Sequence, residues 1–172
     1  MHVACEKRNK YMTLYMLLEG VDFKLKDNGG KLPGEEIPEM KLFINDVAEE
    51  YKCFKMMPPE EVLRIKALFE EIDYDNKKII DGDKSSKFNK FVDKKVSNFI
   101  AEKDSQDFIN SAAIIDGEYV SYEEWFFAWA KLYASSDKKI YDKFFKEYEA
   151  VCEEGKVSFK ELMNNEANEE IY

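Results

Sequence analysis

The chain has 172 residues, 45% hydrophobic and 15% aromatic, which is enough to bury a core in one domain or two small lobes. Its formal charge of −10 argues against binding nucleic-acid phosphates through a general positive field. The sequence contains no apolar run of about 18 residues, so we expect no membrane span.

Cysteine and histidine usage favours a non-enzymatic protein of the cytoplasm. The three cysteines are an odd number without paired spacing, which is typical of buried thiols in a reducing compartment. The single histidine, His2, lies close to the N-terminus and supplies neither a catalytic triad nor a zinc site. We therefore expect no enzyme activity, and a monomer.

Apolar residues at helical spacing and the positions of prolines predict the helices in chain order. Pro38 and Pro59 are suited to the first turn of a helix, and the helix from Pro59 should end at Ile72. A further helix follows Asp81, either as one long helix or as two short ones. One more helix is predicted before these, at 6–20. Three are predicted after them: 122–133, a helix that carries Ile140 to Tyr148, and 159–165.

The segment FEEIDYDNKKIID, which begins at Phe69, has the order of parts of a calcium-binding EF-hand loop. Counted from Asp73, the acids Asp75 and Asp81 take the third and ninth places, and Ile80 the eighth. Three lysines interrupt the pattern: Lys77 at the fifth place, Lys78 at the sixth instead of glycine, and Lys84 at the twelfth instead of glutamate. Lys84 removes two oxygens and adds a positive charge about where the ion would lie.

The arrangement of helix, polar loop, apolar residue and helix occurs four times. The apolar residues are Leu32, Ile80, Val120 and Val157. In three units a glutamate follows four residues later: Glu36, Glu124 and Glu161. Because one unit cannot bury its own apolar faces, we expect pairs of units, with two-residue β ladders joining Leu32 to Ile80 and Val120 to Val157.

The whole chain resembles the four-EF-hand proteins of the sarcoplasmic calcium-binding protein and calexcitin type. The resemblance lies in FEEIDYDNKKIID, GEYVSYEEWFFAWAKLY and EEGKVSFKELM. It implies an all-α fold in which two EF-hand pairs pack into one globule, and an intracellular calcium buffer or sensor. The predicted units are 1–57 and 58–95 in an N-terminal lobe, 96–135 and 136–166 in a C-terminal lobe, and a tail at 167–172.

The ligand positions predict weak calcium binding or none. The first loop offers Asp27 before Glu36, and the third keeps Asp116 out of register before Glu124. The fourth has Ala150 and Cys152 at ligand places. The second loop keeps Asp73, Asp75 and Asp81 at ligand places, so these three are the candidate metal ligands, with turn and cap chemistry as the alternative.

Two other functions remain open: a calcium sensor with one weak site in the second loop, and a calcium-independent adaptor that binds a partner helix. The candidate partner-binding face carries Phe126, Trp129 and Tyr133 on the most aromatic helix. The alternative is that these aromatic side chains fill the core.

Overall fold

The computed structural model describes residues 1–95, 112–155 and 158–169. These residues are mostly helical with one two-stranded sheet, which confirms the all-α class. In chain order the elements are α1 (His2–Glu6), α2 (Lys10–Leu18), α3 (Pro38–Met56), α4 (Pro59–Ile72), β1 (Ile79–Ile80), α5 (Gly82–Lys95), β2 (Val120–Ser121), α6 (Tyr122–Ala134), α7 (Lys138–Gly155) and α8 (Phe159–Glu169).

The proline-marked helix boundaries are confirmed. Pro38 opens α3 and Pro59 opens α4, where a missing N–H costs nothing because the first amides of a helix have no intrahelical partner. Helix α4 ends at Ile72, as predicted. None of the helices in the described ranges combines the length and apolarity needed to cross a bilayer.

Two helix ends differ from prediction. The expected helix over 6–20 is interrupted, because Arg8 adopts a left-handed φ of 53° and the Asn9 side chain accepts a hydrogen bond from the Met12 amide. An asparagine at this position is a favourable N-cap, so a new helix begins at Lys10. Near the C-terminus, α7 continues to Gly155. It therefore extends beyond the predicted stretch from Ile140 to Tyr148.

Helix α6 lies at the centre of the packing. Its Phe127 joins an apolar cluster with side chains of α1, α2 and α3. Its Trp125 and Phe126 join a larger cluster with side chains of α4, α5, α7 and α8. Helix α6 is therefore buried on more than one side and holds the two clusters together.

The single ladder in the described residues joins the second loop to the third. Ile80 pairs with Val120, and Ile79 with Ser121, in antiparallel register. The predicted Leu32–Ile80 pair is wrong: Leu32 lies just before the turn at 33–36 and is 38% exposed. Val157, the predicted partner of Val120, lies outside the described residues. Helix α4 packs on α6, where the Trp125 indole donates a hydrogen bond to the Ile65 carbonyl at 3.3 Å, and this packing brings the second and third loops together.

Candidate cation site in the second loop

The second loop, Asp73–Lys84, connects α4 to α5 through β1. Asn76 and Lys78 adopt left-handed φ values of 57° and 63°, and one Asp73 carboxylate oxygen accepts a hydrogen bond from the Lys78 amide at 2.9 Å. A left-handed residue at the sixth place is where calcium loops carry an invariant glycine. The lysine therefore keeps the turn, at a cost on the order of 1 kcal/mol or more.

The ammonium of Lys84 lies inside this loop. Its Nζ donates to Asp73 Oδ1 at 2.6 Å and to the backbone carbonyl of Ile79 at 2.8 Å, and it forms an ion pair with Asp75 Oδ1. The Lys84 and Asp73 side chains are each only 2% exposed. Three oxygens from the first, third and seventh places of the loop thus converge on one buried positive charge.

The environment keeps both partners charged. Burial alone would lower the pKa of Lys84, but the hydrogen bonds and charges of Asp73 and Asp75 raise it above its usual range. Burial alone would raise the pKa of Asp75, but hydrogen bonds from Lys84 and Lys77 hold it well below its usual range. Near neutral pH the Lys84 ammonium therefore lies between two carboxylates and compensates part of their negative charge.

Of the three predicted ligands, the structure brings Asp73 and Asp75 together but not Asp81. Asp81 Oδ1 accepts a hydrogen bond from the Lys84 amide at 3.0 Å, so this carboxylate caps the first turn of α5. The position just before a predicted helix could have indicated this role. The sequence placed the Lys84 charge near the ion position but did not identify it as the partner of the two acids.

The residues present do not fit a calcium ion in this loop. Two carboxylates and one carbonyl are the oxygen ligands that calcium prefers, but the ammonium fills the space between them and repels a cation. Calcium takes six to eight oxygens, and the twelfth place, which normally supplies two, supplies none. Among the described residues, no group of three or more His, Cys, Asp or Glu side chains is arranged to hold a metal.

In the first and third loops the closing glutamates are bound by other groups of the chain. Glu36 forms an exposed ion pair with Lys31. Glu124 is buried, and its two carboxylate oxygens accept hydrogen bonds from the Ile115 amide at 2.9 Å and the Ser121 amide at 2.8 Å. Burial raises the pKa of Glu124, although these amide hydrogen bonds favour its charged form.

The fourth loop repeats the capping arrangement of the third. The Glu161 carboxylate accepts from the Ser158 amide at 3.0 Å, and the Ser158 hydroxyl accepts from the Glu161 amide at 3.2 Å. Ser121 and Glu124 form the same reciprocal pair. Glu124 and Glu161 are therefore partners of a helix N-cap in this structure.

These two capping boxes predict a difference in stability between matched variants. Glu124→Ala should destabilise the protein by about 2–4 kcal/mol, because it leaves two amides inside the fold without their acceptor. Glu161→Ala should cost about 1 kcal/mol or less, since Glu161 is exposed and water can replace it. Urea unfolding of both variants measures the difference, and equal losses would contradict the proposed burial of Glu124.

The candidate partner face on α6 belongs to the interior. Phe126 and Trp129 are buried, and Tyr133 is partly buried against the Tyr141 ring. Phe126 packs edge-on against Phe54 and Tyr122. The prediction that this face is a partner surface is therefore corrected, because neighbouring helices already cover it.

Comparison with known proteins identified no relative of this chain. No family model matches the chain, and neither a curated protein nor a solved structure matches it. The function is therefore inferred from the loops themselves.

Proposed function

We propose that this chain is an intracellular protein of EF-hand type whose second loop binds little or no calcium. The observation that carries the proposal is the buried Lys84 ammonium, held by Asp73, Asp75 and the Ile79 carbonyl. These oxygens hold the places that would face the ion in a calcium loop. The assignment to the EF-hand type in this proposal comes from the resemblance of the sequence to the sarcoplasmic calcium-binding protein and calexcitin type.

The other loops support a calcium-independent role. Glu36 is paired with Lys31, Glu124 with two backbone amides, and Glu161 with its cap partner Ser158. A calcium ion would have to displace these contacts before it could use the glutamates. The alternative of a calcium-independent adaptor predicts that any partner helix binds equally with calcium or with a chelator.

Calorimetric titration tests the proposal. Protein freed of divalent ions with a chelator and titrated with calcium to about 1 mM, the weakest range of EF-hand sites, should give no saturable heat. Strong heat with a stoichiometry above one would overturn the proposal.

The alternative of a sensor with one weak site in the second loop gives a different result. A single weak site whose heat disappears in Asp73→Asn would support it. Asp83→Asn is the matched control, since Asp83 is exposed and pairs with Lys87 rather than facing Lys84. The control should leave the heat unchanged in either case, and circular dichroism confirms that both variants are folded.

A further inference from the structure

The position of Lys84 supports a more specific inference, which rests on the proposed function. We propose that its ammonium is the resident cation of the second loop and joins α4 to α5 as a bound calcium ion would, so that replacing this one side chain with a carboxylate opens a calcium site.

The oxygens around Lys84 lie at nearly the distance that calcium requires. Nζ lies 2.6 Å from Asp73 Oδ1 and 2.8 Å from the Ile79 carbonyl oxygen, and it also contacts Asp75 Oδ1. Calcium–oxygen distances are about 2.3–2.6 Å, so a small contraction of the same oxygens would suit the ion. The oxygens already point at one centre.

The net charge of the loop site would be the same with calcium as with lysine. Asp73, Asp75 and the Lys84 ammonium together carry one net negative charge. A cage made of these two aspartates, a glutamate at position 84 and one calcium ion would also carry one net negative charge. The exchange of lysine for glutamate plus calcium therefore preserves the electrostatic balance of a buried site, where an uncompensated charge is costly.

The backbone of the second loop already forms the turn that a calcium site needs. The left-handed residues Asn76 and Lys78 and the hydrogen bond from the Lys78 amide to Asp73 form the turn around the centre. Ile79 presents its carbonyl from the seventh place, directly before the Ile80–Val120 pair. Only the cation and its twelfth ligand would need to change.

The contact between Lys84 and Asp73 connects α4 to α5. Asp73 caps the end of α4, and Lys84 lies in the first turn of α5. Their 2.6 Å contact therefore fixes the two helices at the point where a calcium loop couples ion binding to helix orientation. With a covalently attached cation, this coupling is permanent and independent of the calcium concentration.

Terbium luminescence of Lys84→Glu tests the inference. The Tyr74 ring lies 5.9 Å from Lys84 Nζ, close enough to sensitise a terbium ion bound at that centre. The variant should show saturable luminescence that calcium displaces, with an affinity at least ~100-fold above that of the unmodified protein, the span between sensor loops and weak sites.

Lys87→Glu is the matched control. It makes the same charge change on the same helix, and Lys87 also lies near Tyr74, but it pairs with Asp83 and not with Asp73. It should bind terbium no better than the unmodified protein. An equal gain in both glutamate variants would overturn the inference, because a general increase in negative charge would then explain it.

The remaining outcomes separate this inference from the proposed function. A folded Lys84→Glu variant that binds neither ion overturns the inference and leaves the proposed function intact. Micromolar calcium binding by the unmodified protein overturns the proposed function. If Lys84→Glu is unfolded without calcium, recovery of its helical circular dichroism on calcium addition supports the inference.

If millimolar calcium does not restore that signal, Lys84→Gln decides. This variant removes the positive charge without adding a carboxylate. Terbium binding stronger than in the unmodified protein supports the inference, and no gain overturns it.

Discussion

Replacing Lys84 with methionine is expected to destabilise the protein by about 3–5 kcal/mol, the usual loss when one partner of a buried ion pair is removed. Methionine is similar in length but carries no charge. Asp73, whose side chain is 2% exposed, would lose the ammonium that compensates its carboxylate. Urea unfolding should show a lower midpoint with an unchanged slope.

Two further variants make this prediction specific to the loop. Lys87→Met removes an exposed lysine of the same helix and should change stability by about 0.5 kcal/mol or less. Combining Lys84→Met with Asp73→Asn and Asp75→Asn removes the unpaired charges and should recover most of the loss. If the free energy of unfolding of Lys84→Met lies within about 1 kcal/mol of that of the unmodified protein, the ammonium does not stabilise the fold by compensating Asp73 and Asp75.

The local features of the fold were predictable, and the long-range pairing was not. Prolines and apolar spacing identified α3, α4 and α6 because helix starts and buried faces depend on nearby residues. The repeat also identified Ile80 and Val120 as ladder residues. It did not identify them as partners, because each β-branched residue could pair with any of the other loops. Packing of α4 against α6 decides the pairing, and no short segment of the sequence encodes it.

The candidate site was predictable in its acids but not in its cation. Asp73 and Asp75 follow α4 at the spacing of loop ligands, so their approach to a common centre follows from the loop pattern. Lys84 was interpreted as a charge that repels an ion. Its four-carbon side chain is long enough to bring the ammonium back from α5 to Asp73, and this converts an apparent defect into an internal ion pair. Residue type alone distinguishes poorly between the two roles.

The buried face of α6 predicts the second large effect. Trp129→Ala is expected to destabilise the protein by about 3–5 kcal/mol, because removing a buried aromatic side chain loses its transfer free energy and leaves a cavity. The Trp129 ring packs against those of Trp125, Tyr141 and Phe145 at centroid distances of 5.6, 5.7 and 5.2 Å. The contacts with Tyr141 and Phe145 join α6 to α7, so the loss should appear as global unfolding at lower urea concentration.

Tyr15→Ala supplies the control for this effect, since Tyr15 is an aromatic residue of α2 with 47% of its surface exposed. Its loss should be about 1 kcal/mol or less, because little apolar area returns to water and no closed cavity forms. If Trp129→Ala proved as stable as Tyr15→Ala, α6 could not be the centre of the core, and its aromatic face would again be the surface to test for a partner helix. A loss several times larger places Trp129 among the residues that hold the fold, and a partner surface must then be sought on another helix.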